Sequence, residues 1–447
     1  MRFSVRVAAW SLWYGLTQLV LLCLAAVAAV AAGGLAVVLL ASLAARIALP
    51  LADRDLDARF DDADSQLVTF EDQVSSTSFN STAERLVTTA AEAGVQLAPS
   101  NALDRPQPTP QARDVFAAVA DELLGICRLE PAAWDPASFP HYQVWRRHNK
   151  SRIVEAIDTL LGEDPPQWDN DPARDREGPS TDLAGQLWWQ RVLVAEAAIS
   201  AAEGDVQAAA QSIEASWRLN RALLSGPQLT ARQTAIAVLE LQMAALRRYR
   251  LPAGEWPDRL VALDPCRDAL ASYAYDVRQS RRPIETEFDR RHPVLGPIAQ
   301  PFVRLSMVHH HRAALAAISG LEGSSFATFD PDRFAAQIIE SVPRWNTLAR
   351  STLPTSWDWW CRSVHATLAA ELTAHVLAVR ALDRSEALAD LGNQDTPRAS
   401  RIDGLAWRCE VDGRGVSIAL DPNVFPPDSG FPLRETVEFE PRPRRPG

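Results

Sequence analysis

Three consecutive histidines, His309, His310 and His311, are the densest set of potential metal ligands in the chain, and Glu371 with His375 is its nearest approach to an acid–base pair. Neither spacing compels convergence. Adjacent helical residues point roughly 100° apart, so three neighbouring imidazoles do not meet on one ion; an i, i+4 pair would be needed. Glu371-Leu372-Thr373-Ala374-His375 lacks the first histidine of a His-Glu-x-x-His zinc site, and His365 lies ten residues before His375. Glu371 and His375 are spaced for an i, i+4 hydrogen bond, which reads as a surface pair.

No Gly-x-Ser-x-Gly elbow, phosphate-binding loop or Gly-x-Gly-x-x-Gly turn is present, and Gly323-Ser324-Ser325 lacks both the second glycine and a preceding strand. No catalytic residue, metal or cofactor is therefore assigned. Trp188, Trp189, Trp357, Trp359 and Trp360 form the candidate interaction surface, because flat aromatic faces stack on sugars and peptides. Aromatics at helical positions are more often core.

The element that must position everything else is at the start of the chain. Val7 to Leu51 contains no Asp, Glu or Lys and only Arg46 as a charge. Its apolar core, Leu16 to Leu40, would extend about 37 Å as a helix, enough to cross roughly 30 Å of hydrocarbon. Trp10, Trp13 and Tyr14 sit at its headgroup end. A single-pass anchor contacting lipid over residues 9–45 is expected, with Arg2 and Arg6 on the cytoplasmic side and the body in the periplasm or outside the cell. A cleaved signal peptide would have a shorter apolar core. The competing topology is a helical hairpin breaking at Gly33-Gly34, which returns the body to the cytoplasm and places Arg46 inside the second helix.

Charge excludes one class of partner. The net charge is -11, and residues 1–49 hold Arg2, Arg6 and Arg46 without an acid, so the remainder carries -14. Such a body does not suit nucleic acid, whose phosphates need a basic footprint. Outside the apolar run the cysteines are Cys127, Cys266, Cys361 and Cys409, which in an oxidising compartment allow two disulfides in any of three pairings and otherwise stay buried thiols.

The pattern predicts a mainly α protein with an N-terminal transmembrane helix, a helical-hairpin body and a small C-terminal β-hairpin. Residues 1–50 are the tip and anchor. Residues 51–98 are a charged stalk and the first helix, whose capping box is Ser81 with Glu84 and whose stop is Gly94. Asn80-Ser81-Thr82 matches a glycosylation sequon, but the helix cap is the preferred reading. Residues 99–180 are a small helical unit between proline-rich linkers, with helices over 113–127 and 143–161. Residues 181–400 are the main helical domain. In it Asp182 to Leu224 folds back at Gly204-Asp205, and further helices run over 230–249, 301–318, 331–340 and 361–391, the last begun by Thr355-Ser356. Alternation of Leu405, Trp407, Cys409 and Val411, a turn at Asp412-Gly413, and alternation of Val416, Ile418 and Leu420 give the hairpin within 401–440. Residues 441–447 are expected to be disordered.

Two resemblances accompany this pattern. Gly204-Asp205 with Ala208, Ala209 and Ala215 resembles one tetratricopeptide unit, but no 34-residue period follows it, so an ordinary helical hairpin is expected. Tyr249-Arg250 followed by Gly254, Pro257, Leu260, Leu263 and Pro265 resembles the Tyr-Arg, Gly-x-x-Pro-x-x-Leu-x-x-Leu-x-Pro element of uncharacterised bacterial membrane-anchored proteins with helical bodies, and more distantly type II secretion pseudopilins. The pseudopilin likeness stops at the N-terminus, which lacks a Gly before an aromatic-led apolar helix with Glu at its fifth position. The resemblance implies an anchored helical protein and no chemistry. The expected function is a membrane-tethered interaction or scaffold component with an unidentified protein partner, serving envelope assembly or secretion. The alternative is a tethered hydrolase or metal-dependent enzyme using the scattered His and Glu residues.

Overall fold

The computed structural model describes residues 40, 43–50, 54, 79–98, 105–128, 130, 133–168, 181–277, 296–322, 324, 326, 329–353, 357–382, 398–411, 415–421 and 434–438. Most of the expected anchor, the charged stalk, the Asp412-Gly413 turn and the 441–447 tail lie outside these residues. Among the described residues no helix is both long and apolar enough to cross a membrane. The fold is mainly helical, with a four-stranded antiparallel sheet near the C-terminus.

Two compact units share the chain. The first comprises residues 1–63, 277–316 and 337–353; the second comprises 64–276, 317–336 and 354–447.

Among the described residues, the first helix of the second unit is α1, Ser81–Glu92. The expected capping box is not what starts it. Asn80 is the cap: its Oδ1 accepts from the amides of Ala83 and Gln167, each at 3.0 Å, and its Nδ2 donates to the Pro165 carbonyl. An asparagine used up in this way supports the cap reading of the sequon. Gly94, at φ +94°, ends the element as expected. The single helix expected over 113–127 is two, α2 (Pro110–Ala117) and α3 (Ala120–Ile126). The turn between them lets Phe116, Val119, Leu123 and Ile126 all enter the core. In α4, Pro140–Gly162, no neighbouring side chain caps the start. The Glu122 carboxylate of α3 does so instead, accepting from the amides of His141 at 3.3 Å and Tyr142 at 2.8 Å.

The expected hairpin is present as α5 (Leu183–Ala202) and α6 (Val206–Leu224). Gly204 takes φ +83°, and the Asp205 carboxylate caps α6 by accepting from the Ala208 amide at 2.9 Å. Helix α7, Leu229–Arg248, packs on both. A fully buried amide and hydroxyl network joins the three. Ser216 Oγ donates to Gln190 Oε1 at 3.0 Å, Gln242 Nε2 donates to Ser216 Oγ at 2.7 Å, and Asn220 Nδ2 donates to the Ala235 carbonyl at 2.9 Å. Sliding one helix by a turn would leave these groups unpaired in the core, so the network holds the register. The helices of residues 81–162 do not stand apart from the hairpin: Phe116, Trp145 and Leu160 share one hydrophobic core with Trp189, Ile213 and Leu246.

The segment carrying the Tyr-Arg resemblance is a corner. Arg250 and Gly254 both have positive φ, and α8, Trp256–Val261, starts with a proline in its first turn. Trp256 meets Trp217 edge-on at 5.3 Å, and Leu260 is fully buried. Residues 265–277 are again helical. Two further helices, α9 (Gly296–Glu322) and α10 (Pro331–Ser341), are divided between the units, whereas α11 (Thr347–Thr352) belongs to the first. The long helix α12 runs from Asp358 to Ala381 and ends where Leu382 turns extended, short of the expected Leu391. Its cap is Trp357, with no side-chain bond; Thr355 and Ser356 lie outside the described residues.

The expected β-hairpin is the centre of a larger sheet. Strands β1 (Arg398–Ala399), β2 (Ala406–Val411), β3 (Gly415–Asp421) and β4 (Arg434–Glu438) pair antiparallel in chain order, with Trp407 opposite Leu420 and Cys409 opposite Ile418. Packing of α12 against β3 and β4 buries the Val416, Ile418 and Leu420 face.

Candidate functional site

The titratable groups singled out in the sequence are drawn into structure. Glu371, on α12, is not a surface partner of His375. It is buried, and both oxygens are taken by the tail: Ser400 Oγ and Trp407 Nε1 donate to Oε2 at 2.7 and 2.8 Å, and the Arg401 amide and guanidinium donate to Oε1 at 2.9 Å each. A carboxylate with four donors has no lone pair well placed for a substrate proton. His375 is partly buried with its ring 6.1 Å from Trp407. Burial, with Arg398 nearby, holds its pKa below the usual histidine value, against the opposing pull of Glu371. His365, on the same helix, faces Phe326 at 6.5 Å and is likewise held low by burial.

The histidine run splits as helical geometry requires. His310 and His311 are buried, with ring centroids 5.6 Å apart, whereas His309 is half-buried edge-on to Trp345 at 5.5 Å. Burial lowers the pKa of both His309 and His310. Among the described residues no group of three or more His, Cys, Asp or Glu is placed to hold a metal ion.

The five tryptophans do not make one face. Trp189, Trp357 and Trp360 are core residues, at 0%, 1% and 7% exposure, because their helices bury these positions. Trp188 is partly buried, edge-on to Phe116 at 6.1 Å, with the Arg191 guanidinium 4.5 Å above its ring. Trp359 belongs to a separate group with Tyr273 at 5.1 Å and Trp357 at 5.7 Å, and Phe334 closes on Trp357 at 5.1 Å. These contacts make aromatic core, worth about 0.5–1.5 kcal/mol per pair beyond area burial.

Sequence reasoning missed a second buried carboxylate. Glu196 of α5 accepts from Tyr142 Oη at 2.8 Å and from Arg146 Nε at 2.7 and 2.9 Å on its two oxygens. Burial, reinforced by the Glu196 charge, pushes the Tyr142 phenol well above its usual value. The Arg146 guanidinium is raised despite its burial, because Glu196 holds the charged form. The signal was available: Glu196 is the lone acid within Val192 to Ile199, and an isolated charge on an apolar helix needs a partner.

The four described cysteines are free. The buried-thiol alternative holds for Cys127 and Cys266, whereas Cys361 and Cys409 are free but only partly buried. Cys127 Sγ donates to the Arg191 carbonyl at 3.4 Å, and burial pushes the Cys127 and Cys266 thiols up to about 12.

These features define a mainly helical protein with a small antiparallel sheet, in which the buried carboxylates Glu196 and Glu371 hold helices and tail together. Compared with protein-family models, with curated proteins and with solved structures, the chain matches none.

Proposed function

We propose that this chain is a membrane-tethered interaction component, held through residues 9–45, whose acidic helical body lies outside the cytoplasm and engages a protein partner. The observation that carries the reading is the end of the apolar run. Leu40, Leu43 and Ile47 are 67%, 57% and 71% exposed, at positions that form one stripe on a helix. Large aliphatic side chains in such a stripe need an apolar medium, and here they continue an uncharged run of membrane-spanning length. The commitment of Glu371 and Glu196 to structural donors favours a scaffold over the tethered-enzyme alternative.

Two measurements test it. The protein should remain in the membrane fraction after alkaline carbonate washing, and a periplasm-active reporter fused to the tail should give signal. A reporter active only in the cytoplasm would reverse the topology and favour the Gly33-Gly34 hairpin. Crosslinking of the intact membrane protein should then recover a partner from the same compartment; recovery of none counts against the interaction role.

A further inference from the structure

Among the described residues, every exposed large hydrophobic side chain other than valine lies in the first unit: Leu40, Leu43, Ile47 and Trp345. The charge of the chain is divided the same way. Over its whole sequence the first unit holds 14 arginines against 9 acids, net +5, and still +3 without Arg2 and Arg6, which the tether reading puts on the opposite side of the membrane, whereas the remainder holds 31 basic and 47 acidic residues, net -16. An exposed tryptophan on a basic unit within a strongly acidic protein is a distribution that packing does not require.

Trp345 is also held in a defined position. It sits on the turn between α10 and α11, 46% exposed, beside exposed Arg344. Its ring leans on Phe302 at 5.4 Å and meets His309 edge-on at 5.5 Å, both from α9. Asn346, fully buried, pins the turn from below: its Nδ2 donates to the Ser306 carbonyl at 3.2 Å, its Oδ1 accepts from the Ala349 amide at 3.0 Å, and its own amide donates to the Pro343 carbonyl at 2.9 Å. Phe302, His309 and the Asn346 bonds thus hold one indole outward in a fixed position, which lowers the ordering cost of binding it, with the exposed Arg344 beside it. Indole rings favour the headgroup level of a bilayer, and arginines near the surface are drawn to anionic lipid.

We infer that the Arg344–Trp345 turn is a second membrane contact, which lays the first unit on the surface of an anionic bilayer. This rests on the tether reading, since the apolar run would hold the unit at that surface. Binding by the turn adds to the tether an orientation of the first unit and a preference for acidic headgroups, which the apolar run alone would not impose.

The test uses the full chain in vesicles carrying brominated lipid, which quenches indole fluorescence on contact. Trp345→Phe keeps the packing on Phe302 and removes only the indole. With phosphatidylglycerol present, the wild type should show roughly half as much again of the quenchable signal that Trp345→Phe has left, one tryptophan beside Trp10 and Trp13 at the interface. That excess should shrink severalfold in purely zwitterionic vesicles and in Arg344→Gln. An embedded chain with no Trp345-dependent quenching overturns the contact alone, and equal quenching in both lipids overturns its anionic character. Loss of the chain from vesicles on alkaline extraction sinks the tether reading and the contact together.

Discussion

A carboxylate taken out of water is tolerated when its oxygens are filled, and Glu371 meets that condition with donors from the tail rather than from its own helix. Replacing it removes the acceptor of the buried Trp407 indole and of Arg401 Nε, although Arg401 Nη1 keeps the Val261 and Leu263 carbonyls. Glu371→Ala should cost about 3–5 kcal/mol, and tryptic cleavage after Arg401 should speed up accordingly, while Glu371→Gln, which keeps an acceptor, should lie between. The histidines give a pH dependence of definite sign. His309, His310, His365 and His375 are all held below their usual pKa by burial, so the unfolded chain takes up their protons first as pH falls. Their contribution is present above about 6.5, the unfolded value, and is lost as the pH drops through their folded values. The thermal midpoint should therefore be lower at pH 5.5 than at pH 7.5, and His375→Gln should flatten that slope; a midpoint that rises on acidification would contradict the burial. The thiols give a third expectation. Under denaturing conditions without reductant, Cys127, Cys266, Cys361 and Cys409 should all alkylate, while Cys127 and Cys266 stay unreactive in the native protein because burial holds their thiols at about 12. A mass increment that appears only after reduction would restore the disulfides.

Among the elements, the α5–α6 hairpin separates local preference from tertiary demand through two glycines. Gly204 has φ +83° and nothing within 4 Å of where a Cβ would sit, so Gly204→Ala meets only backbone strain, about 1 kcal/mol. Gly185 is helical and by propensity alone would gain about 1 kcal/mol on becoming alanine. Its Cβ, however, would fall 1.5 Å from the Gln96 carbonyl oxygen, in the segment whose Leu97 carbonyl accepts from the Asp182 amide at 2.9 Å. Gly185→Ala should therefore destabilise by more than Gly204→Ala, by 1–3 kcal/mol or more. Denaturant unfolding of the two variants checks the order, and the reverse order would mean that the Gln96 approach is not native.

On the scale of the whole molecule, the sheet and the two units show where sequence patterning reaches its limit. Helical periodicity and turn residues made α5, α6, α7 and the β2–β3 pairing legible, because those signals act over neighbours in the chain. Strands β1 and β4 escaped notice, since two residues carry no alternation and Arg434–Glu438 is a strand through its pairing with β3. The division into units was equally hidden: the first is assembled from three separate stretches, and no linker composition marks that association.

By itself the sequence determined the apolar run, the acidic balance of the rest, the predominance of helix and the sites of its main turns. Each follows from composition or from contacts a few residues apart. Only the tertiary structure decided that Glu371 grips the tail 30 residues on, that Glu196 meets Tyr142 and Arg146 across about 50 residues of chain, that three of the five tryptophans are core, and that Trp345 stands outward beside Arg344. Burial and partner are properties of how distant segments meet, and a one-dimensional pattern does not encode which carboxylate will find its donors.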